Sequence, residues 1–372
     1  MKVSFAQCSD YETARVEAAL DRALAPLGGW ETFVKPGQSV LLKPNLLTDR
    51  EPERAVTTHP AVARAAIRAV KRIGAKPWVA DSPNSVTKLG KVWDKTGFAA
   101  LCAEEDVPLL NLEKAGAVSV RSGGFSFPVA KPVLDADVIV NLPKIKTHVL
   151  TILTGAVKNM YGAVPGFSKT TLHKQYPRPR EFGKLVREIC RAVKPALTIA
   201  DAVIGMEGDG PSGGEPVRMG FLAVSPDADA LDLTVCRALG IRPASVPTLR
   251  PYLKERAAAE IETVGDPLET LMERPIKVPS TFRGQMIPGP FVKLIGRILW
   301  IRPAFSEACV RCGLCVKACP VAALALPDGA SRPVLEGKRC IGCCCCHEIC
   351  PQRAVTMRSS PLLNLFRGGR PM

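Results

Sequence analysis

Residues 59–81 read HPAVARAAIRAVKRIGAKPWVAD, a helical segment running straight into an apolar strand, and this succession decides the fold of the larger part of the chain. Proline at position 60 suits a first helical turn, where its missing N–H is not needed, and Gly74 suits the turn that ends a helix. KPWVAD is then short, apolar and bounded, as a strand buried in a parallel sheet should be. The same succession recurs along the chain. VSFAQ, SVLLK, VIVNLPK, ALTIAD and GFLAVS are further strand candidates, and YETARVEAALDRAL, EFGKLVREICRAVK and ADALDLTVCRALG have helical spacing. Ser9 and Glu12 are spaced as a capping box for the first of those helices. Strands alternating with helices predict an α/β fold, a mostly parallel sheet with helices on both faces, over residues 1–280.

Of the 372 residues, 47% are hydrophobic and 23% charged, a globular rather than a disordered profile. No uninterrupted apolar run reaches about 18 residues, so no membrane-spanning helix is expected. The start, MKVSFAQCSD, lacks the apolar core and small-residue cleavage site of a secretory signal. A cytoplasmic location is the resulting expectation. Fifty Lys and Arg against 35 Asp and Glu give a net charge of +15, which calls for an acidic redox partner protein or an anionic small-molecule substrate. Nucleic acid is disfavoured, because only 5% of residues are aromatic and no basic–aromatic pattern is present.

Ten of the 14 cysteines fall in CVRCGLCVKACP, residues 309–320, and CIGCCCCHEICP, residues 340–351. A disulfide framework would spread its cysteines through a small secreted domain, so ligation is the better reading. Each run contains Cys-x2-Cys-x2-Cys-x3-Cys-Pro, in which three thiolates two residues apart can curl around three corners of a [4Fe–4S] cube. Residues 303–357 therefore resemble the bacterial two-cluster ferredoxin module, a small α+β domain. The resemblance implies two clusters held crosswise: Cys309, Cys312 and Cys315 with Cys350, and Cys340, Cys343 and Cys346 with Cys319. Zinc is the rival, although it needs neither the third cysteine at this spacing nor a fourth followed by proline. Cys344 and Cys345 depart from the pattern and read as spectators, with an alternative ligand set left open. Between the runs, VAALAL and PDGASRP suit a short helix and a hairpin strand. Cys8, Cys102, Cys190 and Cys236 stand singly and read as small buried hydrophobes.

Ligands of open α/β sheets gather beyond the carboxyl ends of the strands. Lys43 and Asn45 follow SVLLK, Asp81 closes KPWVAD, Lys144, Lys146 and His148 follow VIVNLP, and Asp201 closes ALTIAD. The stretch GMEGDGPSGGEP, 205–216, carries Glu207 and Asp209 among glycines that let backbone N–H groups approach an anion, but it has neither phosphate-loop nor dinucleotide spacing. A plain solvated loop explains it as well. Residues 131–180 hold eight Lys and Arg, with His148 and His173, against Asp135 and Asp137. A scattered basic face is the plain alternative; the apolar neighbours in LPKIKTHVLTILTGAVKNMYGAVPG point instead to a folded site. His148, Lys144, Lys146 and Lys158 are the catalytic candidates, able to carry a proton or polarise a carbonyl. Lys43, Asn45, Asp81, Asp201 and Glu207 are the candidates for holding a cofactor.

KPNL at 43–46, TTHP at 57–60, PKIKTH at 143–148, TGAVKNMYG at 154–162 and DAVIGMEGDGPSGG at 201–214 make residues 1–240 resemble the domain-of-unknown-function family numbered 362. Members of that family are often fused to a ferredoxin module. The family brings an architecture and no agreed reaction. Residues 281–302 read as a linker whose FVKLIGRILW, 291–300, could touch a membrane surface or a partner, and 358–372 read as a tail. Three functions are compatible: a redox enzyme fed by the module, a non-catalytic electron carrier docking an acidic partner, and a protein whose clusters are structural. The enzyme is preferred because fusion fixes donor and acceptor close together; it predicts a recess with Lys144, Lys146, His148 and Lys158 facing a cluster, and a cleft pointing away from the clusters would sink it.

Overall fold

The computed structural model describes residues 1–83, 88–255, 260–272, 274–282 and 300–361. Strands β1 (Lys2–Gln7), β2 (Ser39–Pro44), β3 (Lys76–Asp81) and β4 (Leu109–Asn111) are followed by a separate hairpin, β5 (Ala117–Ser122) with β6 (Phe125–Ala130). Then come β7 (Val138–Leu142), β8 (Lys144–His148), β9 (Ile152–Thr154), β10 (Leu197–Glu207), β11 (Glu215–Ser225) and β12 (Glu262–Gly265). The main sheet runs β12-β1-β11-β10-β7-β2-β3-β4, with β8 and β9 attached through β10. From β10 through β7, β2 and β3 to β4 every pairing is parallel, whereas β11 is antiparallel to both β10 and β1. The sheet is thus mostly parallel, and each expected strand is present.

Alternation along the strands divides the core. Val40 and Leu42 of β2 pack with Val16, Leu20, Ile67 and Val70 of the helices Thr13–Leu24 and Pro60–Arg72. Leu41 points the other way, into the cluster of Phe182, Leu185 and Ile189 on the helix Pro179–Val193. Helices therefore cover both faces, as a parallel sheet buried on two sides requires.

Two local expectations change. Glu12 caps its own helix, accepting from the Ala14 and Arg15 N–H groups at 3.1 and 3.2 Å, while Ser9 Oγ bonds Asp10. With Glu12 at the extended cap position, it cannot also serve three residues into the helix as a capping box needs. VIVNLPK is two strands, since Pro143 cannot donate to a ladder and β8 restarts after it alongside β10.

The C-terminal module is bracketed by β13 (Ile301–Phe305), antiparallel to β16 (Val355–Ser359). The PDGASRP turn joins β14 (Leu324–Ala325) to β15 (Val334–Leu335), so VAALAL contributes strand rather than helix; the short helices are Leu314–Lys317 and Cys345–Ile349, inside the cysteine runs. Left-handed backbone recurs in step with the cysteines: Arg311 and Gly342, Gly313 and Cys344, Ala322 and Arg353 all have positive φ. The two runs are structural repeats. Cys344, at φ 66°, stands where the first run has Gly313 at φ 73°, so Cys344→Gly should keep the full iron content, whereas a β-branched valine there should cost about 1–2 kcal/mol in strain. Iron analysis and denaturant unfolding of both variants check this.

The glycine-rich stretch has a structural task. Its ends belong to β10 and β11, paired at Glu207 and Glu215, and its tip receives the second cysteine run. Ser212 Oγ donates to Glu348 O at 2.6 Å, the His347 ring nitrogens face Val355 O at 2.6 Å and Asp209 O at 2.8 Å, and Arg353 donates to Gly213 O at 2.8 Å. A Cβ at Gly213 would meet the His347 ring at 2.7 Å, so close approach demands glycine there. Arg50 adds a bond to Cys350 O at 3.1 Å. Most of the 281–302 linker, with the 291–299 part of the proposed membrane-touching segment, and residues 362–372 of the tail lie outside the described residues. No described helix is long and apolar enough to cross a membrane.

Candidate functional site

The carboxyl ends of β2 and β3 bring Lys43 and Asp81 together in a buried ion pair of 2.8 Å. Asp81 also accepts from the Leu46 and Ser82 N–H groups at 2.7 and 2.9 Å. This pair forms one wall of a recess open at its mouth. Asn45, Ser82, Lys158, Asn159, Tyr161, Lys169 and His173 continue the lining, and Ala318, Cys345 and Glu348 of the C-terminal module close it. Gly162 permits the approach: a Cβ there would land on the Lys43–Asp81 pair.

Lys158 projects from the short helix Ala156–Asn159, whose first N–H groups are held by Asp232 at 2.6 and 3.0 Å. Its ammonium has no hydrogen bond or ion pair among the described residues. Burial pulls it below the usual lysine range, against the opposing fields of Glu348 and Cys345. Burial alone would raise the Glu348 carboxyl, but the field of its neighbours, the Lys158 ammonium among them, holds it below the usual carboxylate range, so it is a carboxylate at neutral pH. His148 Nδ1 accepts from Leu150 N–H at 3.0 Å, which leaves the proton of the neutral ring on Nε2, 3.3 Å from Glu348 Oε1 and off the hydrogen-bonding line. Burial lowers His148 to about 3 and keeps it neutral.

Three buried polar atoms in this lining lack any hydrogen-bond partner: Ser82 Oγ, His173 Nδ1 and Glu348 Oε1. An unpaired buried polar atom costs about 1–3 kcal/mol. That all three belong to residues lining one recess suits a ligand site.

Of the residues singled out from the sequence, Lys43, Asn45, Asp81 and Lys158 line the recess. Lys146 stands behind it, donating to Asn45 Oδ1 at 3.0 Å and to Val56 O, and His148 stands behind Glu348. Lys144 and Asp201 lie elsewhere, paired at 2.6 Å with neither side chain exposed. Tyr11 Oη donates to Asp201 at 2.8 Å and accepts from Lys144 at 2.8 Å, His59 N–H donates to Asp201 at 2.9 Å, and the His59 ring stacks on Tyr11 at 3.6 Å. Burial lowers the His59 ring to about 4. The unfolded chain binds that proton near 6.5, so the folded state loses stability as pH falls from about 6.5 toward 4 and keeps it above. Urea unfolding at pH 7 and pH 5 should show the loss, smaller in His59→Gln. Glu207 is also remote from the recess, clamped by Arg274 at 2.9 Å and by Lys277 N–H at 2.9 Å. Sequence reading missed Glu348, Cys345, Ser82, Tyr161 and Lys169 as recess residues. The available signals were an acid inside a cysteine run and the cysteines that broke its spacing.

The remaining cysteines surround two cavities. Cys309, Cys312, Cys315 and Cys350 wall one. Cys319, Cys340, Cys343 and Cys346, with Cys344, wall the other. Among the described residues no three His, Cys, Asp or Glu side chains converge closely enough to hold a single metal ion. Four thiolates in each lining, with no three side chains converged on one point, fit a cubane cluster rather than one tetrahedral zinc. Cys8, Cys102, Cys190 and Cys236 are buried singly, as expected.

An α/β sheet with a cysteine-rich module docked against the recess at its strand ends defines an iron–sulfur protein, and a 4Fe-4S binding domain model matches residues 305–325. The chain belongs to the family described as Domain of unknown function (DUF362), whose model matches residues 40–237. A relative, the thylakoid-associated protein sll1697 of Synechocystis, is 39% identical over 249 residues, covering 66% of this chain and 77% of that protein. Among solved structures, the lactate racemase apoprotein from Thermoanaerobacterium thermosaccharolyticum is similar at a TM-score of 0.41 and 13% identity, over 64% of this chain and 57% of that one. A likeness of that size carries no argument about activity.

Proposed function

We propose that the protein is an iron–sulfur redox enzyme in which the C-terminal module relays electrons to an anionic substrate or cofactor held in the recess. One observation carries this reading: the recess wall is shared, with Lys43, Asp81 and Lys158 on one side and Ala318 and Cys345, sequence neighbours of Cys319 and Cys346, on the other. Two [4Fe–4S] clusters held by the two cysteine sets would supply one-electron transfer. The chain's own groups do the rest. Lys158 offers a positive charge with no partner among the described residues to an anion, Lys43 and Asp81 fix the floor, and the neutral His148 ring stands behind Glu348. Lys144 and Lys146 act as supports. Cys312 is exposed while Cys343 and Cys346 are buried, so electrons from a redox partner protein enter at the first set and leave at the second. A cytoplasmic location belongs to the same reading.

Anaerobic iron and sulfide analysis, with EPR before and after dithionite and mass spectrometry of anything that copurifies, tests it. About eight irons and eight sulfides with reducible clusters are expected. Zinc in place of iron, or clusters that never reduce, would remove the redox role.

The second reading is an electron carrier without turnover of small molecules. Its support is the charge of +15 and the exposure of Val310, 59%, beside Cys309, a surface suited to an acidic partner. The relative's association with thylakoids fits a carrier that meets its partner at a membrane surface. Rapid oxidation of the clusters by a partner protein, with no small molecule consumed, would favour it.

A further inference from the structure

One sulfur of the second run has no place in either cysteine cavity. Cys345 stands where the first run has Leu314, and it lines the recess rather than the space enclosed by Cys319, Cys340, Cys343 and Cys346. An apolar leucine completes the repeat in the first run; a thiol replaces it only in the copy that faces the recess.

Other observations at the same place point to a ligand. Ser82 and His173 are 3% and 6% exposed, line the recess and each hold a polar atom without a hydrogen-bond partner, while the lining Glu348, 7% exposed, has only the off-line approach of His148 Nε2 at 3.3 Å to its Oε1. The charges sort the ligand's sign. Lys43 is neutralised by Asp81 at 2.8 Å. Lys169 donates to Ser82 O and Pro83 O and lies in the field of Glu113, which leaves Lys158 as the lining ammonium with no hydrogen bond or ion pair among the described residues. A cation would repel it and a neutral molecule would leave it unpaired; an anion pairs with it.

We propose that the recess binds a small oxyanionic molecule, a carboxylate or a phosphate ester, its anionic end on Lys158 and Ser82 Oγ and its body against the Cys345 thiol. This deepens the reading of the recess as the functional site and rests on it. The site is incomplete without the module, which contributes Cys345 and Glu348 to a cavity whose charge comes from the N-terminal domain. The ferredoxin-like part is then a wall of the binding site as well as a place for clusters.

The test is equilibrium dialysis of the anaerobic full-length holoprotein with labelled inorganic phosphate in one arm and labelled succinate in the other, chloride holding ionic strength constant. Saturable binding is expected in at least one arm, and the preferred arm separates the phosphate source from the carboxylate source. Lys158→Met should weaken it by at least about tenfold, because a partly buried charge partner is lost. Lys131→Ala, which alters an exposed lysine paired with Asp135, should bind as the parent does. Cys345→Leu copies the first run and should keep all the iron while weakening the same binding several-fold. No binding of either probe at millimolar concentration, or parental binding by Lys158→Met, overturns the proposal; parental binding by Cys345→Leu removes Cys345 from it. Iron content and dithionite-reduced EPR of the same samples keep the two levels apart. Reducible clusters with no oxyanion binding sink this inference alone, whereas absent or irreducible clusters sink the redox reading beneath it.

Discussion

Cys350→Ala, purified anaerobically, is expected to hold about four irons instead of about eight, and to lose those of the first run rather than those beside it in sequence. Cys350 follows Cys346 in the second run, yet it shares a cavity with Cys309, Cys312 and Cys315. Alkylation with peptide mapping separates the possibilities. In Cys350→Ala, Cys309, Cys312 and Cys315 should become modified while Cys340, Cys343 and Cys346 stay protected by their cluster. Cys319→Ala should give the mirror result, because Cys319 walls the other cavity. Loss of protection within the mutated run in both variants would show that the sets are not crossed. Under the proposed two-cluster reading the consequence differs as well: Cys319→Ala would remove a cluster beside the recess, whereas Cys350→Ala would leave that one and remove the one held by the exposed Cys312.

Asp81→Ala is expected to cost about 3–5 kcal/mol of unfolding free energy, because it leaves Lys43 charged, fully buried and without its partner. Against a total of about 5–15 kcal/mol for a typical domain, such a loss threatens folding at ordinary temperature. The double variant Lys43→Met with Asp81→Leu should recover most of it, since two apolar side chains replace a buried pair at little cost. Lys158→Met offers the contrast. Its ammonium has no counter-ion in hydrogen-bonding reach among the described residues, so the substitution should be neutral or stabilising while binding is lost. Denaturant unfolding of the three proteins, with unchanged slopes, checks both statements. A lysine that can be removed without harm to the fold and a lysine that cannot are thereby told apart, although the sequence presents them alike.

Much of the architecture follows from local pattern. Pro60 and Gly74 bound a helix as their backbone preferences require, Gly74 at φ 82°, and the apolar runs VSFAQ, SVLLK, KPWVAD, ALTIAD and GFLAVS lie in strands. Where local reading failed, a local competitor won: Glu12 took the cap from Ser9, and Pro143 divided one apparent strand into two. The glycine-rich stretch illustrates the limit. Its backbone freedom was legible, but whether it would face an anion or another part of the chain was not, and it turned out to seat His347 and Arg353.

The sequence by itself determined the alternating α/β order, the two cysteine runs with their matching spacing, and the strand ends where Lys43, Asn45 and Asp81 would stand. Those features depend on neighbours a few residues away, through backbone preference and side-chain periodicity. Only the tertiary structure decided which charges are spent and which are free. Lys43 meets Asp81 across 38 residues, Lys144 is sealed against Asp201 and Tyr11, and Glu207 is held by Arg274, while Lys158 lines the recess with no hydrogen bond or ion pair among the described residues. Glu348 and Cys345 reach that recess only because the module docks on the glycine loop and turns one face of its second run inward. Pairing of this kind is set by the packing of distant elements, and no spacing along the chain encodes it.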